Sequence, residues 1–262
     1  PLVLADLGIL LILSSWVRPE SHKKLIWLYW LSPVLFYISY IHGQLDVIPI
    51  FLLFLSLNYL FKQRIFLAGL IFGFAISTKT MVLLSLPFIV LFLLSKEKNL
   101  KSTFSFVLTS MLLFFVVNLP FIFDPSFQQM VFFNDEQTRV FELSFFVGES
   151  SFFFIPACLL LLALRGLLIN TYNRDIFMMF LGFSFGIILL FVTPVQGWYF
   201  WLIPFLTYFY AKSEDKSFLL LMLLQFSYLL YFSLVENSDY LNVFSIMPSD
   251  KTIYIALIDL YN

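Results

Sequence analysis

Ten apolar runs occupy most of this chain, at about 1–16, 25–41, 47–61, 65–77, 81–94, 102–123, 152–169, 176–193, 199–211 and 218–235. A helix crossing a bilayer core upright needs roughly 20 apolar residues. Several runs fall short of that, most of all 65–77 and 81–94, which the tetrad Ser-Thr-Lys-Thr separates. Non-helical backbone at membrane depth survives only against protein or a water-filled cavity, so a break here marks the edge of a cavity. Composition closes the soluble alternatives. Hydrophobic residues make up 61% and charged residues 12% of the 262, with 36 Phe. Soluble domains run at roughly 45–50% and 25%, and no soluble interior hides this much apolar surface. A soluble enzyme, a disordered tail and a disulfide scaffold are excluded. A net charge of −1 offers no basic excess for nucleic acid. The single cysteine, Cys158 in IPACLLLLAL, reads as a small buried apolar residue. The expected fold is all-α: one transmembrane domain over 1–262, with about ten helices, some short or broken.

Cations set the orientation. With the first run starting outside, one side receives Arg18, Lys23 and Lys24, then Lys62 and Arg64, then Lys96, Lys98 and Lys101, then Arg165 and Arg174, then Lys212 and Lys216. The other side receives only Lys79, Arg139 and Lys251. The positive-inside rule puts the first side in the cytoplasm. The outer side carries most of the carboxylates and the longest loop, 124–151, so chemistry is expected there. The chain opens PLVLADLGIL, with no Met and no basic residues ahead of the apolar stretch, unlike a signal peptide. It reads as a chain entered partway, with N-terminal helices and a first outer loop preceding it.

The most specific polar cluster is His42-Gly43-Gln44-Leu45-Asp46. Ionisable groups at this depth are costly and face a cavity or a partner. Asp46 could cap the helix beginning at Val47, with Pro49 in its first turn. Capping leaves His42 and Gln44 unaccounted for, which favours a substrate-facing loop. Lys79 either snorkels to the boundary or holds an anion, of which phosphate is the common partner of an ammonium. As a boundary residue it should tolerate Lys79→Met without loss of the fold. Asp6, inside the first run, could pair with Lys79 or line the same cavity. Arg139 suits phosphate or carboxylate, or else pairs with Glu136 or Glu142. In TPVQGWYFWLIPF, Gln196, Trp198, Tyr199 and Trp201 form either an interfacial aromatic belt or a platform for sugar rings.

There is no GxxxxGK[ST], HExxH or GxSxG motif, and His22 and His42 are the only histidines. A histidine-rich metal site is excluded and no cofactor is expected. A divalent cation on outer-loop carboxylates is the remaining alternative.

Four segments in order carry a resemblance: HGQLDVIPIFLLFLSLNYL, AGLIFGFAISTKTMVLLSLPFIVLFLL, VVNLPFIF and VQGWYFWLIPFL. Together they resemble membrane glycosyltransferases of the GT-C superfamily. The nearest similarity is to dolichyl-phosphate-glucose glucosyltransferases and mannosyltransferase-like relatives. The resemblance implies transfer of a sugar from a polyprenyl-phosphate carrier to a glycan or lipid-linked acceptor on the extracytoplasmic side. That face would belong to the plasma membrane in a prokaryote or the endoplasmic reticulum in a eukaryote. It implies a general-base Asp in the first outer loop, expected to precede this chain. His42, Gln44 and Lys79 would then contact the donor phosphate and sugar, with Asp46, Arg139, Gln196, Trp198 and Tyr199 completing the substrate site. A transporter or flippase would also place charges in such a cavity, but the runs show no inverted repeat. A non-catalytic scaffold is the third class.

Overall fold

The computed structural model describes residues 1–97, 100–169, 172–192, 196–213 and 216–234. The chain is helical almost throughout. In order come α1 (Leu2–Trp16), α2 (Pro19–Trp30), α3 (Pro33–Ile41), α4 (Val47–Phe61) and α5 (Ile65–Thr78). A 3-10 turn, Thr80–Ser85, leads into α6 (Leu86–Glu97), then α7 (Leu100–Asn118), α8 (Pro125–Val131) and α9 (Asp135–Thr138). Strands β1 (Ser144–Val147) and β2 (Ser150–Phe153) precede α10 (Phe154–Leu167) and α11 (Arg174–Phe191). A second 3-10 turn, Gln196–Trp201, opens onto α12 (Ile203–Lys212) and α13 (Lys216–Leu234).

Among the described residues, α7 and α11 are long and apolar enough to cross a membrane singly, and α2 with α3 form one candidate span bent by 42°. The other apolar helices are shorter, as the uneven runs foretell. On α7 the large apolar side chains Phe104, Leu112 and Val116 are exposed, whereas Thr103, Phe106, Ser110 and Phe114 are buried. Large apolar side chains turned outward, with the Thr103 and Ser110 hydroxyls turned inward beside two Phe rings, form the pattern of a helix solvated by lipid.

The run at 25–41 is not one helix, and Pro33 is the reason, since its ring and missing N–H break the ladder. Ser32 restarts the helix by accepting from the Leu35 N–H at 3.2 Å. Buried Gln225 of α13 closes the gap, donating to the Leu28 carbonyl (3.2 Å) while its own carbonyl accepts from the Ser32 hydroxyl (2.8 Å). Backbone freed in an apolar interior needs such a partner.

The all-α expectation has one exception. β1 and β2 pair antiparallel, with Phe145 opposite Phe152 and Val147 opposite Ser150. Gly148 supplies the positive φ of 62° that a tight two-residue turn requires.

The closest helix contact joins α5 to α7. Gly69 and Gly73 are one turn apart, and a Cβ on either would meet the Phe106 or Ser110 carbonyl oxygen at 2.9 or 2.6 Å. Small residues at i and i+4 let two backbones approach to this distance. Elsewhere aromatic rings fill the core. Phe185 packs between Trp201 (5.3 Å) and Phe205 (5.7 Å), and Phe92 stacks on Phe177 at 4.6 Å.

The turns gather at two ends. At one, the Arg174 guanidinium lies over the rings of Phe61 (4.7 Å) and Trp16 (5.7 Å). There Lys212 and Tyr208 both reach Asp175 at 2.5 Å, and the Lys24 ammonium donates to the Ser213 carbonyl at 2.8 Å. This basic end unites the turns near 16–24, 58–62, 174 and 212. The segments 42–46, 77–80, 118–137 and 196–201 meet elsewhere, around the cavity described next.

Candidate functional site

α5 stops at Thr78 because Lys79 adopts an extended backbone (φ −158°, ψ 121°), and the chain restarts as a 3-10 turn. The Ser77 and Thr78 hydroxyls donate to the Gly73 and Ala75 carbonyls, at 2.9 and 2.7 Å, where the helix runs out. This break opens a cavity of about 580 Å³, within the usual ~300–1,000 Å³ of small-molecule sites. One wall is the 77–84 segment with Phe114 and Asn118 of α7. Another is the loop side, with Met130, Asn134, Gln137 and Val140, and Ile188 and Trp198 complete the lining.

Among the described residues Lys79 is the charged group of that lining. Its ammonium is ion-paired with Asp46 and stands 5.8 Å from the centre of the Trp201 ring. The Asp46 side chain is 5% exposed and that of Lys79 35%. The carboxylate is thus held inside while the cation reaches the cavity. One Asp46 oxygen, Oδ2, is buried without a hydrogen-bond partner. Asp46 sits at the start of α4 but makes no capping bond, so the capping reading fails. The reason is competition: a buried carboxylate gains more from an ammonium than from one backbone N–H.

Gly43, with φ 74°, folds the loop back so that Gln44 lies against Gly197, where even a Cβ would overlap its amide. The Gln44 amide nitrogen is 3.4 Å from His42 Nε2, and the His42 ring stacks on Tyr37. His42, Gln44 and Asp46 are thereby brought to the segment bearing Trp198 and Trp201, one layer behind the cavity wall. Trp198 lines the cavity. Tyr199 turns into the bundle and stacks on Tyr228 at 4.4 Å. Trp201, read from sequence as part of a boundary belt, is fully buried beneath Lys79. The Gln196 side chain and Lys251 lie outside the described residues. Arg139 occupies the short 3-10 turn Arg139–Phe141, beside the lining residue Val140.

Asp6 does not reach Lys79. It is buried and accepts from the hydroxyls of Tyr29 (3.1 Å) and Tyr40 (2.6 Å), tying α1 to α2 and α3. Tyrosines supply hydrogen bonds without a second charge, which an apolar interior tolerates better than an ion.

Sequence reasoning misses Asn118 and Gln137. Asn118 ends α7 and donates to Ser77 Oγ (3.2 Å) and the Phe114 carbonyl (2.7 Å). Gln137 ties the loop to the 3-10 turn, donating to the Val131 carbonyl (2.7 Å) and Thr80 Oγ (3.4 Å). The one signal is Asn118 standing as the polar last residue of a long apolar helix, two residues before Pro120. Among the described residues no group of three His, Cys, Asp or Glu side chains could hold a metal ion.

Apolar helices around a mainly apolar cavity, into which Lys79 brings a charge, define an integral membrane protein with a small-molecule site. Over residues 2–231 the sequence matches glycosyltransferase family 87. The chain belongs to that family, and the activity it implies is glycosyl transfer. No curated protein and no solved structure matches the chain.

Proposed function

We propose that this glycosyltransferase takes its sugar from a polyprenyl-phosphate donor. The sugar passes to a glycan or lipid-linked acceptor on the extracytoplasmic side, in the manner of the GT-C superfamily. The supporting observation is the Lys79 ammonium, fixed by Asp46 and Trp201 on the wall of a 580 Å³ cavity. Negative charge grows on the phosphate as the sugar–oxygen bond breaks. A cation already in place stabilises that charge more in the transition state than in the ground state, which is the condition for acceleration. The basic turns gather away from this cavity, and with the positive-inside rule that favours an extracytoplasmic site. Lys79 would face the donor phosphate, with His42, Gln44 and Asp46 holding the wall behind it. Trp198 would lie along the sugar, and Arg139 and Gln196 would complete the site; Tyr199, stacked on Tyr228 inside the bundle, is not part of it. A carboxylate from the family's first outer loop would deprotonate the acceptor hydroxyl.

The test is incubation of the protein in its membranes with undecaprenyl phosphate carrying labelled mannose or glucose. Label should leave the carrier and appear on a glycan or lipid acceptor. Label that stays on its carrier and merely changes leaflet would replace this reading with a flippase.

A further inference from the structure

We infer that Asn118 and Gln137 form a hydroxyl-reading subsite beside Lys79, one that recognises the sugar of the donor. The inference rests on the polyprenyl-phosphate reading and assigns residues to its specificity. Its basis is which atoms of the two amides remain free. The partners of the amide nitrogens include the Phe114 carbonyl for Asn118 and the Val131 carbonyl for Gln137, at 2.7 Å each. A carbonyl can only accept, so the NH₂ group of each amide must face it. The second hydrogens go to Ser77 Oγ and Thr80 Oγ. Ser77 passes its own proton to the Gly73 carbonyl at 2.9 Å, so it can only receive here. Each amide is therefore pinned in one orientation with both donors engaged. Its carbonyl oxygen is the atom left for a ligand.

Among the described residues the cavity thus offers these two acceptors and the Lys79 ammonium. Its natural complement is a ligand with hydroxyl donors and a single anionic group a short distance apart. A sugar phosphate has that pattern, whereas a bare lipid phosphate supplies only the anion. Trp198, also in the lining, adds an aromatic face for the C–H side of a pyranose ring. Asn118 comes from α7 and Gln137 from α9, and both are hydrogen-bonded to the 77–80 segment, to Ser77 and Thr80 respectively. A sugar lying along that segment would meet both acceptors. A site built to accept from a hydroxyl discriminates against ligands lacking it, because an acceptor that the bound ligand shuts off from water is then left unpaired.

Equilibrium binding to the detergent-solubilised full chain tests this with three probes: undecaprenyl phosphate and its mannosyl and glucosyl esters. At least one ester should bind about ten-fold or more tightly than the bare lipid, the scale of one satisfied buried acceptor. Asn118→Leu and Gln137→Leu should each shrink that margin about ten-fold and leave the affinity for bare lipid unchanged. Gln137 is exposed on the loop, so its variant decides the matter even where Asn118→Leu does not fold. Equal losses for all three lipids, or a wild-type protein with no margin, overturn the subsite. Transfer assays on the same preparations keep the two readings apart. An intact margin without transfer, in protein that carries the first outer loop, removes the enzymatic reading and leaves the subsite. Normal transfer with an unchanged margin in both variants removes the subsite and leaves the enzyme.

Discussion

Two carboxylate–ammonium pairs sit in different parts of this molecule, and they serve different ends. Asp175 and Lys212 join α11 to α12 with side chains 49% and 36% exposed. Water and salt screen such a pair, and exposed pairs contribute about 0–1 kcal/mol. Asp46 and Lys79 join α4 to the break after α5, and there the carboxylate is almost wholly buried. Burying that charge costs more than a solvated contact returns, so stability does not explain the pair. The first pair staples turns together. The second presents a cation at a fixed point of a cavity wall, with a carboxylate and the Trp201 ring holding it there.

The variants that separate these roles fall in order of size. Lys79→Met should lower sugar transfer by about 10²–10³, the scale of losing one preorganised electrostatic contact, as initial rates with the labelled donor will read. The same change strands the buried Asp46 carboxylate, a loss of about 3–5 kcal/mol. The boundary-residue expectation of an untouched fold is therefore corrected. Adding Asp46→Asn to Lys79→Met should restore most of the melting temperature without restoring transfer. A double variant that melts as low as the single one contradicts the buried-charge account. Gly73→Leu drives a side chain into the Ser110 carbonyl and should cost about 1–3 kcal/mol by overpacking. Thermal unfolding in detergent checks it, and a wild-type melting curve would mean that α5 and α7 separate freely. At the basic end, Asp175→Asn should change stability by at most about 1 kcal/mol and transfer not at all. A large loss of transfer there would erase the distinction between the two pairs.

The convergence of Asp46 and Lys79, 33 residues apart, was legible because topology places both at the same ends of neighbouring helices. A costly charge in an apolar chain also announces itself. The approach of Gln44 to the segment bearing Trp198 was legible from the topology alone, since both lie at that same end. Asn118 and Gln137 were not, since neutral amides in a helix end and a loop carry no spacing signal. Their roles appear only once two elements meet across the cavity. Asp6 looked like a partner for Lys79 because sequence counts charges and overlooks tyrosine hydroxyls. The 144–153 hairpin was hidden: SFFVGESSFF has a turn signal, but residues 144–151 fall in the long 124–151 loop and residues 152 and 153 in the apolar run that opens there.

The glycine seam has a mechanical consequence. With Gly69 and Gly73 seated on the α7 backbone, α5 has no cushion of side chains to compress or rotate. Lys79 and Asn118, at the ends of these two helices, stand on what is in effect one stiff post. A wall of that kind holds the Lys79 ammonium and the Asn118 amide at a fixed separation. The other wall has no such seam: Met130, Gln137 and Val140 hang on short helices and turns, tied back to the first wall by the Gln137–Thr80 bond.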